Sequence, residues 1–108
     1  MTAPLADAVV FFGATGDLAH KQLFPAFQGL IREARMRVPL IGVARSPWTG
    51  EELRARAEDS LKQSGGYDPQ AFEEMAGLLQ YVSGDYGDPA TYAKIREALG
   101  GAVRPVFY

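Results

Sequence analysis

Five apolar residues, Ala8-Val-Val-Phe-Phe12, run into Gly13 and give way at once to helix-forming sequence beyond Gly16. The run is too short for a helix, and it is apolar at every position, as a strand buried on both faces must be. A buried strand that enters a glycine turn and then a helix sends the chain back over the sheet toward a parallel neighbour. That single feature restricts the fold to the α/β class.

The rest of the chain repeats the alternation. Helical sequence is predicted from Asp17 to about Arg37, with Leu23, Phe27, Leu30, Ile31 and Ala34 as its apolar stripe. Pro25 lies inside it and, lacking an amide donor, is expected to break or kink the helix near Leu23 and Phe24. Val38 to Ala44 reads as a second buried strand, with Pro39 near its start. Thr49-Gly-Glu-Glu52 has capping-box spacing and opens a helix with Leu53, Ala57 and Leu61 on one face, ended by Ser64-Gly-Gly-Tyr67. Asp68-Pro69 caps the next helix, with Phe72, Met75, Ala76 and Leu79 as its stripe.

Leu79 to Val82 is the third predicted strand, and Asp88-Pro89 caps a helix carrying Tyr92, Ile95 and Leu99 and closed by Gly100-Gly101. Arg104 to Tyr108 begins a fourth strand. Strands alternating with helices predict a Rossmann-like, doubly wound and mainly parallel sheet with about four strands present. The expected organisation is one unit over 1–108, the N-terminal part of a dinucleotide-binding domain, since 108 residues are few for the complete six-strand form. A strand that begins at Arg104 and stops at Tyr108 fits that expectation.

Charge and composition narrow the function. Eleven basic residues against thirteen acidic ones leave a net charge of −2 with no basic stripe, so nucleic acid is a poor partner. No apolar run approaches the roughly 20 residues that span a bilayer, and the N-terminus lacks the positive region of a signal peptide. With no cysteine there is no disulfide, no zinc–thiolate site and no catalytic thiol. No metal site is expected, and a cytoplasmic location is.

The chemistry sits in Phe12-Gly-Ala-Thr-Gly-Asp-Leu-Ala19. Unpaired amides at a helix start, together with the helix dipole, fit a pyrophosphate. Gly13 can take the unusual dihedrals of the turn, Gly16 lets a phosphate approach the backbone, and Ala19 is small enough for close helix–strand packing. The spacing is G-x-x-G-x-x-A, a variant in which Ala14 stands where the usual first glycine falls. Strand two ends in Ala44-Arg45-Ser46, with no acid before Glu51. An acid there would bond the ribose 2′-hydroxyl of NAD. Arginine suits a 2′-phosphate, so NADP is the expected cofactor, with the Thr15 hydroxyl available to the same phosphate.

These residues resemble a known family. Gly13-Ala-Thr-Gly-Asp-Leu-Ala-His-Lys-Gln-Leu-Phe-Pro25 is similar to the N-terminal signature of glucose-6-phosphate dehydrogenases. Gly42-Val-Ala-Arg-Ser46 resembles that family's strand-two ending, Tyr81-Val-Ser-Gly-Asp-Tyr86 its third-strand segment, and Pro105-Val-Phe-Tyr108 the strand leading to the next cofactor contact. The resemblance implies an oxidoreductase that passes hydride from C1 of glucose 6-phosphate to NADP and yields a lactone, in the pentose phosphate pathway. It implies that Thr15, Gly16, Asp17 and Leu18 meet the pyrophosphate and 2′-phosphate region, that Arg45 and Ser46 lie at the 2′-phosphate, and that Asp85 and Tyr86 lie beside the adenosine half. A homo-oligomer is implied for the full-length protein.

Three of these residues, at the turn and after strand three, also have a plainer reading. Asp17 caps or stabilises the helix start, Asp85 is a turn residue bonding its own backbone, and Tyr86 packs beside the turn. The family usually has lysine at Gln22 on the substrate side, and the adjacent Lys21 points about 100° away on a helix. The family's catalytic histidine lies far downstream. His20, with no evident carboxylate to orient it, is expected to be an exposed or phosphate-neighbouring helix residue. No catalytic residue is therefore expected here, and the chain alone is expected to be silent. The alternative is an NADP-binding reductase-like or redox-sensing regulatory protein without sugar-phosphate activity.

Overall fold

The computed structural model describes residues 7–33 and 37–107. Four strands, β1 (Ala8–Phe12), β2 (Leu40–Ala44), β3 (Leu79–Ser83) and β4 (Pro105–Phe107), form one sheet in the order β3-β2-β1-β4. Every pairing is parallel, with Phe11 beside Gly42 and Gly42 beside Tyr81 in the centre. The order reverses at β1, and the carboxyl ends of β1 and its neighbours are where a sheet of this kind takes a ligand. This is the doubly wound half-sheet that the alternation of elements requires.

The side chains of β1 alternate between two cores. Val9 and Phe11 face a layer with Phe24, Phe27 and Ile31 of α1 (Phe24–Arg32), Leu53, Ala57 and Leu61 of α2 (Gly50–Ser64), and Met75 of α3 (Pro69–Leu78). Val10 faces the opposite layer, with Ile41, Val43, Val82 and Ile95 of α4 (Pro89–Leu99). The caps fall where local chemistry puts them. Thr49 and Glu52 close the capping box on α2, Asp68 accepts from Gln70 and Ala71, and Asp88 accepts from Ala90. Gly65, in the left-handed region at φ 85°, ends α2. No helix among the described residues is long and apolar enough to cross a membrane.

The first helix departs from expectation in an informative way. Between the glycine turn and α1, Ala19–Leu23 forms a π-helical turn, in which the Phe24 amide donates to the Ala19 carbonyl. A regular α-helix would demand a donor at Pro25. The wider turn absorbs the proline, which then occupies the first turn of α1, as its missing donor allows. Helix α1 ends at Arg32, with Arg37 outside any helix, while Ala34 and the rest of the predicted stretch, like Tyr108, lie outside the described residues. Leu30 and Tyr92, expected in the core, are exposed, and Thr91 is buried on α4 instead.

A single carboxylate joins the two ends of the described chain. Asp7 accepts from the amides of Val103 and Arg104, each at 2.7 Å, fastening the entry of β4 beside that of β1. The Val103 amide above all, against a desolvation that acts the other way, holds its carboxyl below the usual value. The folded chain thus binds fewer protons than the unfolded one between the two pKa values. The stabilisation is complete above about pH 4 and fades as pH falls through the lowered folded value. Asp7→Asn is therefore expected to flatten the acid limb of the thermal midpoint below about pH 4. An unchanged limb would remove Asp7 as a contributor.

Candidate cofactor site

The site is built at the carboxyl edge of three strands. Leaving β1, Gly13 turns at φ +71°, the Ala14 amide extends the ladder to the Val43 carbonyl at 3.2 Å, and the Gly16 amide closes on the Gly13 carbonyl at 2.9 Å. A Cβ on Gly16 would stand 3.3 Å from that carbonyl, so glycine keeps the turn tight. Ala14 and Ala19 are buried beneath it. Among the described residues, no backbone acceptor faces the amides of Thr15, Asp17 or Leu18. Those donors at a helix start suit an anion.

At the end of β2, Arg45 projects with 73% of its side chain exposed, toward Asp85 Oδ1 at 3.6 Å. Ser46 Oγ and Thr15 Oγ1 lie 3.0 Å apart, joining the β2 end to the glycine turn. The backbone beneath them is held from β3: Tyr81 Oη donates to the Ser46 carbonyl at 2.5 Å and Ser83 Oγ to the same oxygen at 3.0 Å. Burial, above all, pushes the Tyr81 phenol up. Sequence reasoning missed Tyr81 and Ser83 as supports, because their partner lies 35 and 37 residues away. Parallel alternation at β3 could have suggested it.

Asp85 accepts from the Gly87 amide at 2.8 Å, the turn bond expected of it, while also facing Arg45. Tyr86 packs its ring edge-on against Phe12 at 5.4 Å; its hydroxyl accepts from the Gly13 amide at 2.8 Å and donates to the Val43 carbonyl at 3.3 Å. It therefore braces the near side of the turn and takes the Gly13 amide out of the free donor set. Leu18 stands exposed on the lip.

Gly13, Thr15, Gly16, Asp17, Leu18, Arg45, Ser46, Asp85 and Tyr86 are thus brought to one edge. Lys21 and Gln22 are exposed on the π turn.

Two positions differ from expectation. Among the described residues the Asp17 carboxylate makes no capping hydrogen bond, which leaves only its charge to stabilise the helix start: it is 89% exposed, with Arg56 Nη2 of α2 3.9 Å from its Oδ1. His20 is not free of a carboxylate. Its side chain is only 12% exposed, with Nε2 2.8 Å from Asp59 Oδ2, and Ser60 Oγ donates to its carbonyl. The His20 bond, more than any other contact, holds the Asp59 carboxyl below its usual range. His20 docks the π turn on α2. Among the described residues no cluster of His, Asp or Glu is suited to hold a metal.

A parallel half-sheet that offers free helix-start amides and an arginine at its carboxyl edge defines a dinucleotide-binding domain. Residues 10–105 match the family described as "Glucose-6-phosphate dehydrogenase, NAD binding domain", and the chain belongs to that family. It is 36% identical over 102 residues to glucose-6-phosphate 1-dehydrogenase 1 of Mycobacterium tuberculosis, covering 94% of this chain and 22% of that relative. Identity to the Kluyveromyces lactis enzyme is 33% over 94 residues, covering 84% and 19%. The crystal structure of glucose-6-phosphate 1-dehydrogenase from Mycobacterium avium superposes with a TM-score of 0.89 at 40% identity, over 95% of this chain and 23% of that one. A glucose-6-phosphate dehydrogenase solved in complex with its substrate glucose-6-phosphate gives 0.78 at 30% identity, over 98% and 24%. The chain spans about a fifth of the length of the curated relatives it matches.

Proposed function

We propose that this chain is the NADP-binding portion of a cytoplasmic dehydrogenase, homo-oligomeric at full length, that oxidises glucose 6-phosphate at C1 to the 6-phosphogluconolactone. Family membership supports the reaction class, and a relative's complex with glucose-6-phosphate supports the substrate. The observation that carries the choice of NADP is Arg45, exposed at the end of β2 beside the Thr15–Ser46 hydroxyl pair. An acid at that strand end would favour a ribose hydroxyl instead.

When bound, the nicotinamide supplies the hydride acceptor. The residues of this chain bind and orient. The amides of Thr15, Asp17 and Leu18 donate to the diphosphate, and the hydroxyls of Thr15 and Ser46 share the 2′-phosphate with the Arg45 guanidinium. Asp85 and Tyr86 border the adenosine half, with Tyr86 holding Gly13 in place. Lys21 and Gln22 are assigned to the substrate side. The general base belongs to sequence outside this chain.

The test is reduction of NADP and of NAD by the full-length protein with glucose 6-phosphate. Turnover with a higher kcat/KM for NADP than for NAD is expected. Tight NADP binding with no turnover would instead make it a redox-sensing regulator, and a preference for NAD would remove the role given to Arg45.

A further inference from the structure

Resting on the NADP reading, a second question arises at the lip of the glycine turn. The Asp17 carboxylate is 89% exposed beside the very amides assigned to the diphosphate. Like charges repel there, and the side chain makes no cap that would draw it aside. Its own helix carries two basic residues, His20 and Lys21, but among the described residues neither pairs with it: His20 is held by Asp59, and the ion pair of Asp17 is with Arg56.

The compensating cation comes from α2. Arg56 Nη2 lies 3.5 Å from the Gly16 carbonyl and 3.9 Å from Asp17 Oδ1, with the Arg56 side chain only 28% exposed. Its Nε is buried and, among the described residues, has no acceptor. An unpaired buried donor is costly, so the contacts of Arg56 are those its Nη2 makes with the Gly16 carbonyl and the Asp17 carboxylate. Its place is fixed from below. Asp59 and Ser60, three and four residues on, hold His20 from the same helix face, so α2 is fastened to the π turn directly behind the glycine turn.

We propose that Arg56 is a positioning residue for the cofactor diphosphate: it neutralises the Asp17 carboxylate and braces the Gly16 carbonyl, so that the incoming diphosphate meets donors and not an uncompensated anion. Arg45 reads the 2′-phosphate; Arg56 clears the approach to the diphosphate. The two arginines come from different elements and serve different phosphates.

Titration calorimetry of NADP into the full-length protein tests this with wild type, Arg56→Met, Asp17→Asn and the double variant. Arg56→Met is expected to weaken binding about tenfold in low salt, and about twofold or less once Asp17 is asparagine. The tenfold loss should shrink as salt rises, and Arg56→Lys should recover most of it. In turnover, KM for NADP should rise with kcat held. Wild-type affinity in Arg56→Met, or an equal loss in both Asp17 backgrounds, overturns the inference, as does a loss that follows a lowered thermal midpoint. A wild-type protein that binds no NADP refutes the cofactor reading itself.

Discussion

Arg45→Ala in the full-length protein should cost about 2–3 kcal/mol of NADP binding, roughly 30- to 150-fold in affinity, and leave NAD almost unaffected. The magnitude follows from the group lost: a guanidinium meets a phosphate through charge-assisted, paired hydrogen bonds, which are about twice as strong as neutral ones. The fold should not notice the change. Arg45 is 73% exposed and its native partner Asp85 is 60% exposed at 3.6 Å, a pair that contributes about 0–1 kcal/mol. Comparing dissociation constants for the two coenzymes, with thermal midpoints alongside, separates recognition from stability. An unaltered preference for NADP in Arg45→Ala would mean that another group recognises the extra phosphate.

Gly42→Ala should be nearly as damaging, through packing. Gly42 sits mid-strand in β2, where a Cβ would stand 2.8 Å from the Ala14 Cβ and 3.0 Å from Leu53 Cδ2 and Phe11 Cζ. Ala14, Leu53 and Phe11 are fully buried and have nowhere to retreat. Overpacking of this kind costs about 1–3 kcal/mol. Because Ala14 belongs to the glycine turn, the displacement should also carry into the donors at Thr15 to Leu18. The expected result is a thermal midpoint several degrees lower and a raised KM for NADP. A midpoint and KM equal to wild type would show that Gly42 is not needed for the close approach of turn and sheet.

Gly42 also marks where the sequence could be read and where it could not. The caps at Thr49, Asp68 and Asp88 are legible because each is a bond within three residues. The strand positions and their parallel pairing follow from apolar runs alternating with helices. The glycine turn and Arg45 are legible because their chemistry depends on position at a strand end. What escaped is chemistry that the sheet assembles from a distance. Gly42 looks like any strand glycine until Ala14 is packed against it. The Asp59 partner of His20 and the Arg56 partner of Asp17 lie on α2, 39 residues away in each case, and only the docking of α2 on the π turn brings them together. Leu30 and Tyr92 occupy apolar positions at helical spacing yet face outward, because a stripe identifies a helix face without saying how far the core reaches.

On the proposed reading, one edge of the sheet takes the whole phosphate portion of NADP. A crystal structure of the full-length protein with NADP tests it most directly. The diphosphate is expected within hydrogen-bonding distance of the amides of Thr15, Asp17 and Leu18, and the 2′-phosphate against the Arg45 guanidinium and the hydroxyls of Thr15 and Ser46. A 2′-phosphate bound elsewhere, with Arg45 still facing Asp85, would contradict it.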